Sequence, residues 1–159
     1  MKKAKKIILV IFCAISVFIG SITIYYWNDI NDIYREAKGA HTLQWMVQES
    51  EEAYKAYLYG DSNAAIKSLE QYKQKLETEL QTFPEDKRLL YININTIKSD
   101  LSVVYGRLAM KYEELGDEQT SQKYLDQACK YSNPYSKDQL NADEMRKFIK
   151  TIDDNMLNK

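Results

Sequence analysis

The first six residues, Met1 to Lys6, carry four lysines, and the next twenty-one, Ile7 to Trp27, carry no charge. At ~1.5 Å of rise per helical residue that run reaches ~31 Å, about the thickness of a bilayer's hydrocarbon core. The pattern predicts a basic tip over 1–6 and a transmembrane signal anchor over 7–27. The run closes on Tyr25, Tyr26 and Trp27, aromatics suited to the lipid headgroup zone at the membrane interface. Lysines stay on the cytoplasmic side, so the N-terminus is expected inside and the domain outside the cytoplasm. Two rival readings export the same domain. Ala14-Ile15-Ser16 resembles the small-x-small site of a cleaved secretory signal, although the apolar run continues past it. Cys13 raises a lipoprotein signal, against which Phe12 stands where a small residue is expected.

Beyond Trp27, eighteen basic residues face twenty-three acidic ones, a net charge of −5 for the exported part. Clustered positive charge supplies most of the affinity for nucleic acid, so none is expected as a partner. The length suits one domain with a real core. Cys129 is the lone cysteine of that domain, which excludes a disulfide within it. Its simplest role is that of a small buried apolar residue.

Helical periodicity dominates the rest. Ile30, Ile33, Tyr34 and Ala37 are spaced as on a helix, which makes 28–41 a membrane-proximal helical linker that Gly39 weakens. The domain is expected over 42–157. Its first helix, Thr42 to Tyr59, carries Leu43, Met46, Val47, Ala53, Tyr54 and Tyr57 as one buried stripe. Gly60-Asp61 breaks it, glycine serving the turn and aspartate capping the next helix, from Ser62 to about Thr82. Thr82 and Glu85 have capping-box spacing, and from there a long helix is expected, with Leu90, Ile94, Ile97, Leu101, Val104, Leu108, Tyr112 and Leu115 on its stripe. Gly116-Asp117 ends it. A fourth helix runs from Glu118 to Tyr131, stopped by Asn133-Pro134. The last runs from Asp138 to about Asn155, capped at Ser136, and is expected to bury Leu140, Phe148, Ile149, Ile152 and Met156. The fold class is all-α: an N-terminal transmembrane helix followed by an antiparallel helical-hairpin bundle.

The residues around the two Gly-Asp turns also correspond. Tyr105, Leu108, Ala109, Tyr112, Leu115, Gly116 and Asp117, followed by Ser121, Leu125, Ala128 and Pro134, fall at the spacing of one helical-hairpin repeat. This stretch, 102–135, resembles a tetratricopeptide repeat. A weaker copy over 46–79 matches at Ala53, Ala56, Tyr59, Gly60, Asp61, Ala65, Leu69 and Tyr72, with Glu49 and Glu52 replacing the aromatic and the leucine. The turns lie 56 residues apart, where tandem repeats place them about 34 apart. The resemblance therefore implies two related hairpins in a compact bundle rather than a regular superhelix. It also implies a concave surface lined by Ser50, Tyr54 and Tyr57 from the first copy and Met110 and Glu113 from the second. Those five residues are the expected partner-binding site, and changing Tyr54 and Tyr57 to alanine is expected to abolish capture without unfolding the domain.

Catalysis has little to draw on. His41 is the only histidine and has no cysteine or second histidine beside it to make a metal site, so neither metal nor cofactor is expected. Glu51-Glu52, Glu113-Glu114 and Asp153-Asp154 are adjacent pairs that diverge by about 100° on a helix. No phosphate loop or nucleophile elbow is present. The expected function is therefore not enzymatic. It is that of a membrane-anchored interaction scaffold of the cell envelope that binds a protein or peptide, the alternative being an extracytoplasmic helical sensor of a small ligand.

Overall fold

In the computed structural model the backbone is described at residues 2–83, 92–133 and 138–157, and side chains there from Ile15 onward except Asn28. The helices are α1 (Lys2–Tyr59), α2 (Ser62–Thr82), α3 (Ile94–Glu114), α4 (Glu118–Tyr131) and α5 (Ala142–Leu157). Among the described residues there is no strand of a sheet, and no helix is long and apolar enough to cross a membrane. Side chains 1–14, which include the basic tip and the first third of the expected span over 7–27, lie outside the described ones.

The first correction concerns Gly39. It does not end a helix: α1 is continuous for 58 residues. One glycine costs a helix about 1 kcal/mol, which the flanking turns offset. Gly39 and Thr42 are themselves buried, so the missing side chain lies on the packed face. That face continues through Met46, Ala53 and Tyr57, whereas Leu43 and Val47, expected on the same stripe, are exposed.

The two Gly-Asp turns end their helices for different physical reasons. Gly116 has φ +75°, and the amides of Gly116 and Asp117 donate to the carbonyls of Glu113 and Tyr112. That left-handed closure suits glycine. At Gly60 the restriction is steric, since a Cβ there would lie 2.5 Å from the carbonyl oxygen of Ala56. In both turns the aspartate caps the next helix: Asp61 accepts from the Ala64 amide at 2.8 Å and Asp117 from the Thr120 amide at 3.0 Å.

The two expected capping boxes are displaced. Thr82 closes α2 instead of opening α3, and Glu85 and Leu90 lie outside the described residues. The cap of α3 is Asn93, which accepts from the amides of Asn95 and Thr96. Likewise α5 starts after Asn141, not at Ser136, which lies outside the described residues. Asn141 and Glu144 exchange side-chain-to-amide bonds at 2.9 and 3.0 Å, a complete capping box. This start sets the buried face: Met145 and Ile149 are buried, Ile152 is half-buried, and Phe148 and Met156, expected inside, are exposed.

Helices α1 and α2 pack as one antiparallel hairpin and α3 and α4 as another. Across the first, Lys75 pairs with Glu49 and the rings of Tyr54 and Tyr72 meet edge to face. Across the second, Ser102 donates to the Ala128 carbonyl and Tyr112 stacks on Tyr124. The α3 stripe of Ile97, Leu101, Val104 and Leu108 is fully buried between them. At about 1.5–3 kcal/mol for each such side chain, this row is the main apolar contribution of the domain. Four tyrosines, 112, 124, 105 and 131, form a file of ring contacts 5.5 to 6.0 Å apart. The hydroxyls of Tyr105 and Tyr124 donate to Glu77 and Glu70, which ties the file to α2. Much of the unusual tyrosine content therefore joins helices to one another.

Helix α5 seats Met145 and Ile149 over Gly106 of α3, while its far end reaches Arg107 through Asp153 and Met156. A Cβ on Gly106 would lie 2.6 and 2.7 Å from Cγ1 and Cδ1 of Ile149. Gly106→Ala is therefore expected to destabilise the domain by about 2 kcal/mol through overpacking. Adding Ile149→Ala, which removes the clashing carbons, should make the double variant less destabilised than the sum of the singles, read from urea unfolding.

Candidate functional site

The chemistry of the bundle concentrates where α1, α2, α3 and α5 meet. Arg107 sits in the apolar row of α3, between Val104 and Leu108, with no exposed surface. A buried guanidinium must be paired, and Asp153 of α5 supplies the carboxylate, accepting from Nε at 2.9 Å and from Nη2 at 2.6 Å. The sulfur of Met156 lies 3.3 Å from Nη2. The ring centroid of Tyr54 lies 3.9 Å from the guanidinium carbon and that of Tyr57 5.1 Å, so both aromatic faces meet the cation. Nη1 is buried and has no hydrogen-bond partner among the described residues, where the tyrosine faces lie against the cation.

About two helical turns earlier on α3, Asp100 accepts from the Tyr72 hydroxyl. Burial pushes the Asp100 carboxyl up, while the Tyr72 bond and the Arg107 charge pull it partly back. Burial raises the hydroxyls of Tyr54, Tyr57 and Tyr72 too, and nearby carboxylates add to the effect. All three stay neutral and serve as hydrogen-bond donors and ring surfaces. Held so tightly, these groups orient helices; nothing in their arrangement generates a free nucleophile or base.

The five expected partner-binding residues divide here. Ser50, Tyr54 and Tyr57 are spaced along one face of α1, and of the three Tyr54 and Tyr57 meet Arg107 of α3. Tyr54 and Tyr57 are occupied by Arg107, however, and Tyr57 is buried. Their removal would uncover a buried cation, so the expectation that the alanine variants leave folding intact is corrected. Ser50 bonds back to the Val47 carbonyl of its own helix. Met110 is half-buried against the core, and Glu113 is exposed beside Arg146 of α5 at 3.3 Å. Nothing in the sequence reading marks Arg107 or Asp100, and Asp153 enters it only as half of a divergent acidic pair, whereas the structure sets it on the buried guanidinium. Their available signal was an arginine interrupting an otherwise apolar row; nothing local marks Asp153, 46 residues on, as its partner.

Clefts open between the helices at two places among the described residues. A wide one of about 840 Å³ runs between α1 and α2, lined by His41, Trp45, Glu49, Glu52, Lys75 and Glu79 among others. One Glu79 carboxylate oxygen there is buried and has no hydrogen-bond partner among the described residues. A narrower one of about 370 Å³ lies between α3 and the approach to α5, lined by Ser99, Ser102, Val103, Ser132, Asn133, Leu140 and Phe148. Among the described residues no group of three or more histidines, cysteines or carboxylates could hold a metal ion. Cys129 is half-buried, and burial raises its thiol, which disfavours the reactive thiolate. Tyr25, Tyr26 and Trp27 are exposed on α1, with Tyr25 and Tyr26 in edge contact at 5.1 Å.

Asp153→Ala should cost about 3 kcal/mol in urea unfolding, because it strands Arg107 in the core. Arg107→Met combined with Asp153→Leu should recover most of that loss. Asp100 gives a separate test by pH. Its folded pKa is raised above the ordinary 3.8, so its contribution is full below that value and is lost as pH rises through the folded pKa. The stability difference between wild type and Asp100→Asn should therefore shift in favour of the variant as pH is raised from 3.5 to 7, on the order of 1 kcal/mol per unit of pKa elevation.

No family model, curated protein or solved structure matches this chain.

Proposed function

We propose that this chain is a single-pass, membrane-anchored scaffold whose helical domain lies outside the cytoplasm and holds a protein or peptide partner close to the membrane. The observation that carries the reading is on α1. Ile15, Val17, Phe18, Ile19, Ile22 and Ile24 are all exposed, and the same unbroken helix enters the bundle at Thr42. Large apolar side chains uncovered by their own protein call for an apolar surrounding. The uncharged run and the basic tip before it suit a bilayer with lysines on the cytoplasmic face. A continuous helix then makes the distance from bilayer to domain a fixed quantity.

Hairpins of the tetratricopeptide kind act by offering an extended surface, and the resemblance of 102–135 and 46–79 to that repeat supports a binding role. The α1/α2 cleft is the surface best suited to it. Trp45 offers an aromatic contact, and Glu49, Glu52 and Glu79 outnumber Lys75, so the cleft suits a partner segment bearing basic side chains. Met110 and Glu113 lie elsewhere, on α3, where they offer a second, shallower contact.

Affinity purification of the tagged full-length protein from gently solubilised membranes, with mass spectrometry of what stays bound, tests this reading. A stoichiometric partner that is lost with Glu52→Arg, a change at an exposed cleft position, is the expected result. Folded protein recovered alone would overturn the scaffold, and release from membranes by carbonate would overturn the anchor. A second reading, a small-ligand sensor, is favoured by the 370 Å³ cleft beside Phe148. It predicts an added small-molecule mass in native mass spectrometry that Phe148→Ala removes.

A further inference from the structure

Between the uncharged run and the bundle, α1 carries an apolar seam that no described part of the chain covers. Ile30, Ile33, Ala37, Ala40 and Val47 are all exposed, the three large residues at 51, 66 and 58%. They follow alternating three- and four-residue steps, with Gln44 in the one vacant position and Glu51 ending the row. In heptad terms Ile30, Ala37 and Gln44 take the a positions and Ile33, Ala40 and Val47 the d positions.

The seam and the bundle use different sides of one helix. Thr42, Met46, Ala53 and Tyr57 mark the side that packs into the domain. At about 100° per residue the seam points roughly 150° away from them. It is also narrow, a single a/d row whose flanks are polar apart from Tyr34 and Leu43, whereas a helix facing a globular core carries a wider stripe. A narrow row of 3.5-residue period stays in contact with another helix only when the two wind around each other.

The flanks indicate which helix that is. Asp29, Glu36 and Leu43 occupy g positions, and Tyr34, His41 and Gln48 occupy e positions. In a parallel, in-register pair of identical helices, g meets the e position five residues further on in the other copy. Glu36 then faces His41 and Asp29 faces Tyr34, each pairing made twice. An antiparallel pair would instead set Glu36 against Leu43, which takes a carboxylate out of water beside an apolar side chain. Alanine at 37 and 40 lets the two backbones approach.

We infer that α1 pairs with α1 of a second copy of this chain as a parallel two-stranded coiled coil over residues 30–47. The pairing leaves the bundles and their clefts on the outside, so each dimer presents two copies of the domain. It goes beyond the scaffold reading and depends on neither the partner nor the anchor.

The test uses the full-length chain in detergent micelles with Cys13 and Cys129 changed to serine and one new cysteine at a time. Under mild oxidation Ile30→Cys and Val47→Cys should each form disulfide-linked dimers at least tenfold faster than Asp32→Cys, an exposed position off the seam. Linkage only in a mixture of Ile30→Cys with Val47→Cys would show antiparallel helices and overturn the proposal. So would equal rates at Asp32, the mark of random collision. In sedimentation the unmodified chain should be a dimer and Ile33→Glu with Val47→Glu a monomer with an unchanged thermal unfolding curve, since neither residue touches the bundle. A monomeric wild type, or a dimer that survives the two glutamates, would place association elsewhere and sink the idea.

Discussion

A guanidinium cannot stay charged inside a helical bundle unless the protein surrounds it with partners, and the arrangement of this domain follows from meeting that demand at Arg107. Asp153 must come from α5 to pair with it, and the rings of Tyr54 and Tyr57 must come from α1 to lie against it. Three helices that are distant in sequence are thereby fixed to one another at a single point. Apolar packing would tolerate several ways of laying α5 across α3. The ion pair tolerates one, because any other leaves a buried charge at a cost of several kcal/mol. Gly106, one residue earlier on α3, admits the Ile149 side chain that this placement requires.

The same centre explains why the face of α1 and α3 expected to be an open groove is partly closed. Its aromatic residues are spent on the arginine, and the end of α5 lies beside them. On α1, the outer cleft against α2 and the apolar seam higher up stay open. Both are on the one helix that continues toward the N-terminal uncharged run. Because α1 is unbroken, the seam and the cleft keep a fixed relation to each other along one helix.

Local chemistry was readable wherever it was decided within one turn of chain. Asp61 and Asp117 cap their helices as their position after glycine implied, and α4 runs from Glu118 to Tyr131 as its apolar spacing and the following Asn-Pro stop required. Failures came where two local signals competed. Thr82 and Glu85 have the spacing of a capping box, but the Thr82 hydroxyl donates back to the carbonyls of Thr78 and Glu79 at the end of α2, whereas Asn141 and Glu144 make the full reciprocal pair. Gly39 reads as a break in isolation, yet tertiary packing outweighs a propensity of about 1 kcal/mol. On α1 two apolar rows, one for the bundle and one for solvent or another helix, merge in sequence into a single broad stripe. Val47 belongs to the outer row and Leu43 to its flank, and neither faces the bundle, because periodicity records which residues share a face and not what that face meets.

The sequence by itself determined an all-helical chain, the positions of the turns, the caps that follow glycine and the apolar row of α3, because each of these depends on backbone geometry and on neighbours three or four residues away. Only the tertiary structure decided that Arg107 is buried, that Asp153 is its counterion, and that Tyr54 and Tyr57 serve that cation instead of lining an open groove. Such pairings join residues 46 or more positions apart. Desolvation energy acts between groups that share a volume, whatever their separation along the chain, so it becomes visible only once the helices are packed.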